Sequence, residues 1–177
     1  MTNYSLYQLI GISCLLLFVS CQGSQEKSVD IDTFEFNTTD ATELYFKNMR
    51  ESYYELEEKE GMKIYRLEDY EELDSFYIRP MIIYHWRMDK AYLMLEFDSL
   101  IDTENIVLSD STGNRTYSPG QMRDYLRIAY DIEKVLAADA DPKIKIGNRD
   151  LPVFRTEKEK SYFSLVLYDF FRFTNTY

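Results

Sequence analysis

Residues 81–97, MIIYHWRMDKAYLMLEF, decide the fold. They read as two extended runs joined at Asp89-Lys90. A two-residue turn there sets Met88 against Ala91 and fixes the register outward. Trp86 then falls opposite Leu93, Tyr84 opposite Leu95 and Ile82 opposite Phe97, and all six side chains share one face. The other face pairs Arg87 with Tyr92, His85 with Met94 and Ile83 with Glu96. One apolar face and one mixed face is the pattern of an antiparallel hairpin lying on a core. The expectation is a sheet with Trp86 inside it.

Around that hairpin, the bulk properties describe one folded domain. The chain has 177 residues, 45% hydrophobic and 29% charged, with sixteen Tyr and eleven Phe, so much of its buried surface must be aromatic. The net charge of −11 repels a phosphate backbone, which excludes nucleic-acid binding. It also repels an anionic membrane surface, so membrane attachment requires something other than a basic patch.

The first segment supplies that device. No charged residue precedes Glu26, and residues 9–19 (LIGISCLLLFV) are almost wholly apolar. This run is shorter than the roughly twenty residues that span a bilayer, but it suits the core of a secretory signal. It ends in Leu17-Phe18-Val19-Ser20-Cys21. That junction resembles the lipobox of a bacterial lipoprotein signal, in which small residues precede a cysteine that becomes the lipidated N-terminus. The resemblance covers about twenty-one residues. It implies a signal peptide over residues 1–20, lipid on Cys21, and a mature protein anchored in the cell envelope, at the outer membrane or cell surface. Cys14 is removed with the signal under this reading, which leaves no thiol to form a disulfide or a cysteine metal site. The plainer alternative is a buried apolar N-terminal helix of a cytosolic protein. Residues 21–30 are polar and read as a tether, and the folded domain is expected over 31–177.

Ile31, Phe34 and Phe36 offer a short strand or docking segment. A helix begins near Thr39, with Asp40 and Glu43 as its capping pair. It runs either to Gly61 or only to about Glu51. In the second case residues 53–57 and 62–67 form a hairpin around Glu-Lys-Glu-Gly. Residues 68–77 (EDYEELDSFY) suggest a short acidic helix or turn, residues 106–108 a short strand, and residues 110–118 an exposed turn. Ser118-Pro119-Gly120-Gln121 opens an amphipathic helix whose apolar side is Met122, Tyr125, Leu126, Ala129, Ile132 and Leu136. The remainder reads as strands: 143–146, 153–156 and 161–174. In the last, Phe163, Leu165, Leu167, Phe171 and Phe173 alternate on one face. Asp169 interrupts that face, and a bulge is expected to turn it outward. The architecture expected is α+β: an antiparallel sheet with one or two amphipathic helices packed on it.

No residue set names a reaction. His85 is the only histidine, and no Gly-x-Ser-x-Gly elbow follows Cys21. Zinc lacks its usual ligands. Asp110-x-Thr112-x-Asn114 and Asp139-x-Asp141 space oxygens as calcium loops do, but neither continues to the glycine and distal glutamate of an EF-hand. No cofactor is indicated. Tyr84, Tyr92, Tyr162 and Tyr168, if exposed on a sheet, would suit sugar or protein binding. The leading reading is a non-enzymatic envelope module that binds a cationic protein or a saccharide, with an acidic immunity-type inhibitor as one form. Its binding surface would draw on Tyr84, His85, Tyr92, Glu57, Glu58, Glu71 and Glu72. The alternative is a hydrolase using paired carboxylates in a cleft.

Overall fold

A computed structural model of the chain describes residues 29–71, 77–110 and 113–176. The signal-like segment, Cys21, Thr112 and Glu72 lie outside the described residues. The fold is α+β, with two antiparallel four-stranded sheets. In the first, β1 (Tyr54–Lys59), β2 (Met62–Leu67), β3 (Ile78–His85) and β4 (Lys90–Phe97) follow in sequence order. The second joins β5 (Ile106–Asp110), β6 (Gly113–Tyr117), β7 (Lys143–Ile146) and β8 (Arg149–Pro152) in the order β6-β5-β7-β8.

The central hairpin forms, but its loop is longer than a two-residue turn. Residues 86–89 make the turn, Met88 N–H donates to His85 O at 3.0 Å, and Asp89 takes the left-handed φ of 50°. The register becomes Ile82↔Leu93, Tyr84↔Ala91 and Ile78↔Phe97. Each residue's partner has moved by four positions, an even number, so the faces survive while the partners change. Ile82, Tyr84, Leu93 and Leu95 are buried as the pattern requires. Trp86 is not: it sits in the loop, 48% exposed, with the Arg87 guanidinium 4.9 Å from its ring.

Helix α1 (Asp40–Met49) stops early, and the β1–β2 hairpin follows a 3₁₀ turn at Glu51–Tyr53. Its capping box uses Thr39 and Thr42 rather than Asp40 and Glu43: each backbone N–H donates to the other's Oγ1, at 3.0 and 3.2 Å. Helix α2 (Glu68–Glu71) is one acidic turn. Helix α3 (Met122–Ala137) starts three residues later than the Ser118 signal, where Asp124 accepts the Gly120 and Gln121 N–H groups. Residues 113–117, expected as turn, form the exposed edge strand β6.

The largest difference is at the C-terminus. Residues 161–174 are not a strand but most of helix α4 (Glu157–Phe173). Thr156 caps it by accepting the Glu159 N–H, and the Glu159 carboxylate accepts the Arg155 N–H at 2.7 Å. Phe163, Val166, Leu167, Phe170 and Phe171 recur at helical spacing and are all buried. This helix covers the inner face of the first sheet, where Phe173 meets Tyr84 at 5.0 Å and stacks on Phe46 of α1 at 4.5 Å. Each such ring contributes about 1.5–3 kcal/mol through burial. Helix α3 lies between the sheets, with Tyr125 near Phe97 and Asp131 bonded to Tyr117 at 2.8 Å. Asp169 faces inward, 1% exposed, and no bulge exists to turn it out.

Candidate binding surface

With both long helices on the inner face, the outer face of the first sheet is left to its own side chains. Alternation and register set them in rows: Lys59, Met62, His85 and Lys90; then Glu57, Ile64, Ile83 and Tyr92; then Glu55, Arg66, Met81 and Met94; then Arg79 and Glu96. Ile83 is 8% exposed yet stands apart from the main core cluster, because its neighbours on this face screen it. An ion chain crosses the lower rows. Arg66 contacts Glu57 at 2.8 Å and Glu96 at 2.9 Å, and Arg79 Nε donates to Glu96 at 2.7 Å. Burial alone would raise the Glu96 carboxyl, but the two guanidiniums outweigh it and hold the group below the usual carboxylate range.

The rim of this face is β1, whose residues after Tyr54 are all exposed. Glu57 is held by Arg66, whereas Glu55, Glu58 and Glu60 have no ion pair among the described residues. The turn at Gly61 approaches the neighbouring loop, since a side chain at Gly61 would meet Arg87 at 3.8 Å. Trp86 and the acidic hairpin therefore lie at the same end of the sheet.

The residues expected to form a binding surface separate. Glu57 and Glu58 belong to the exposed rim, Tyr92 and half-buried His85 to the outer face, and Glu71 ends α2. Tyr84 is 2% exposed and belongs to the core, so it offers nothing to a ligand. Tyr162 and Tyr168 lie on α4 rather than on a sheet; Tyr162 leans on Tyr70, and Tyr168 accepts a bond from Arg172. Sequence reasoning missed Trp86, Met62, Ile64 and Met81 as surface residues. The alternation that put His85 and Met94 on the mixed face was the available signal for Met81.

Two of the concavities are lined largely by short polar side chains. A groove of about 470 Å³ lies between residues 29–39 and 174–176, with Phe34 below it. Its carboxylates Asp30 and Glu35 are exposed, and hydrogen bonding from Thr33 holds Asp30 below the usual range. A cleft of about 590 Å³ near Asp139, Asp141, Glu157 and Ser164 is crossed by Lys160, which bonds Asp141 at 2.5 Å and Glu157 at 2.8 Å. Asp110 pairs with Arg115 at 3.4 Å. Among the described residues, no group of three His, Cys, Asp or Glu could hold a metal, and no helix is long and apolar enough to cross a membrane.

No family model matches this chain, and neither a curated protein nor a solved structure matches it.

Proposed function

We propose that this is a lipid-anchored cell-envelope protein that acts by binding, and that it captures a cationic protein at the β1 rim of its first sheet. The observation that carries this reading is the placement of the acidic run. Residues 55–59 belong to one terminal strand, fully exposed after Tyr54, with Glu60 in the turn that follows, beside a sheet face that neither long helix covers. Such a rim steers an oppositely charged partner into contact. Masking a basic toxin is one role that suits it. A protein ligand is favoured over a saccharide because the exposed rings Tyr53, Trp86 and Tyr168 stand on three different elements and form no shared platform. The hydrolase reading has less support. Paired acids in glycoside cleavage need environments that push their pKa values apart, whereas the buried acids here cap a helix or bind Arg50.

A lysine-rich peptide of about ten residues tests capture, with Trp86 emission followed in stopped flow. Association should be fast at low salt and slow steeply as salt screens the rim. Reversing Glu55, Glu58 and Glu60 to Lys should lower the on-rate by roughly tenfold or more while leaving the circular dichroism unchanged. An on-rate equal to that of the original chain at low salt would rule capture out.

A further inference from the structure

Strand β1 carries more than charge. Its two-residue turn has positive φ at both Glu60 and Gly61, 52° and 82°. That is type I′ geometry, which closes Lys59 and Met62 into a hydrogen-bonded pair. Antiparallel alternation then directs the Glu55 and Glu57 backbone groups toward β2, and those of Leu56 and Glu58 away from it. No strand among the described residues lies on that far side. The side chains alternate too. Glu55 and Glu57 stand on the outer face, while Leu56, 40% exposed, stands on the inner one with Glu58.

We infer that β1 accepts an extended, Lys- or Arg-bearing segment of the partner protein as a fifth strand, bonded through the Leu56 and Glu58 main chain. This rests on the capture reading and specifies the form of the partner's contacting segment. The outward backbone donors and acceptors would pair with any extended chain; the side chains select its charge. A second copy of β1 is selected against, because edge-to-edge pairing would set glutamate against glutamate. A cationic strand instead meets Glu55 and Glu57 on the outer face, and the charge of Glu55 is not neutralised by an ion pair among the described residues. Alternating residues on such a strand would also place every second side chain beside Leu56. An apolar residue there, with Lys between, matches both faces of the rim.

Amide hydrogen exchange on the full chain in nonionic detergent tests this, with a synthetic peptide of about ten residues alternating Lys and Val. At saturation, exchange at Leu56 and Glu58 should slow by roughly tenfold or more, while Glu55 and Glu57, already bonded to β2, should not change. A Glu–Val peptide, and a Lys–Val peptide N-methylated at alternate residues, should leave all four amides unaltered. Glu58→Pro removes one outward N–H and no bond to β2; it should abolish the added protection at Leu56. Salt-dependent binding of the Lys–Val peptide without protection at Leu56 and Glu58 would overturn strand addition and leave capture standing. If no cationic peptide binds at low salt, capture itself fails and strand addition with it.

Discussion

Asp169 and Arg50, 119 residues apart in sequence, meet in the interior through two contacts of 2.8 Å, from Arg50 Nε and Nη2 to the same oxygen, Oδ2. Tyr54 donates its hydroxyl to that oxygen as well, at 2.7 Å. The three groups tie α4 to the end of α1 and to the start of β1. The carboxylate is 1% exposed and the arginine side chain 19%, so the pair is screened by protein on most sides.

Breaking this link from one side leaves a buried charge without its partner. Asp169→Ala should therefore destabilise the protein by about 3 kcal/mol, read from urea unfolding. Arg50→Met should cost a similar amount. The double variant Asp169→Leu with Arg50→Met should recover most of the loss, because two apolar groups leave no charge stranded. Additive losses would show that the two residues act separately.

Buried tyrosines make the fold sensitive to alkali. Burial, then the Glu43 carboxylate, pushes the Tyr84 hydroxyl from the ordinary 10.0 up to about 12. Tyr54, Tyr65, Tyr70 and Tyr117 are shifted upward as well, burial being the first cause in each. In the unfolded chain these groups lose their protons near pH 10; in the folded one they keep them. Their contribution is complete below pH 10 and declines as pH rises above it, through about 12 in the case of Tyr84. Unfolding titrations at successive pH values, followed with tyrosinate absorbance, should show stability falling as pH rises above 10.

Trp86 is the one tryptophan, and its exposure makes it a reporter rather than a core residue. Trp86→Ala should change stability by no more than about 0.5 kcal/mol. Leu93→Ala, a truncation of a fully buried side chain, should cost about 2–5 kcal/mol. Emission from the unmodified chain should be water-like and open to ionic quenchers.

What the sequence reveals depends on how local the cause is. The faces of β3 and β4 follow from alternation, which survives an even slip of register; their pairing does not, because it depends on whether Asp89 adopts a left-handed backbone. The α3 helix is visible in its apolar side. The α4 helix is concealed by its aromatic content. Phe163, Leu165, Leu167, Phe171 and Phe173 satisfy a strand's alternation, and aromatic residues favour strands. Phe163, Val166, Leu167, Phe170 and Phe171 satisfy a helix equally well, and Thr156 with Glu159 marks its start. Asp169 could not be placed by any local rule, since its partner comes from another part of the chain. Exposed Glu58 is legible as a charged rim; the unpaired backbone beside it becomes visible only once β1 is known to end the sheet.

The proposed anchor has its own test. Cys21→Ala should abolish incorporation of labelled palmitate and leave a precursor of full length, checked by mass spectrometry and membrane fractionation. Unchanged fractionation of a protein that retains Met1 would rule the anchor out.

The position of α4 also sets an order of events during synthesis. The inner faces of β1 to β4 are built from residues 54–97, but the helix that keeps water from Tyr84 and Ile82 is Glu157–Phe173. A ribosome that has reached Tyr117 has made the first sheet and α1, but neither of the two long helices that cover its apolar side. Stable burial of that face waits for residues 157–173. Under the envelope reading proposed above, an export machine would receive a chain whose own order of elements delays its folding.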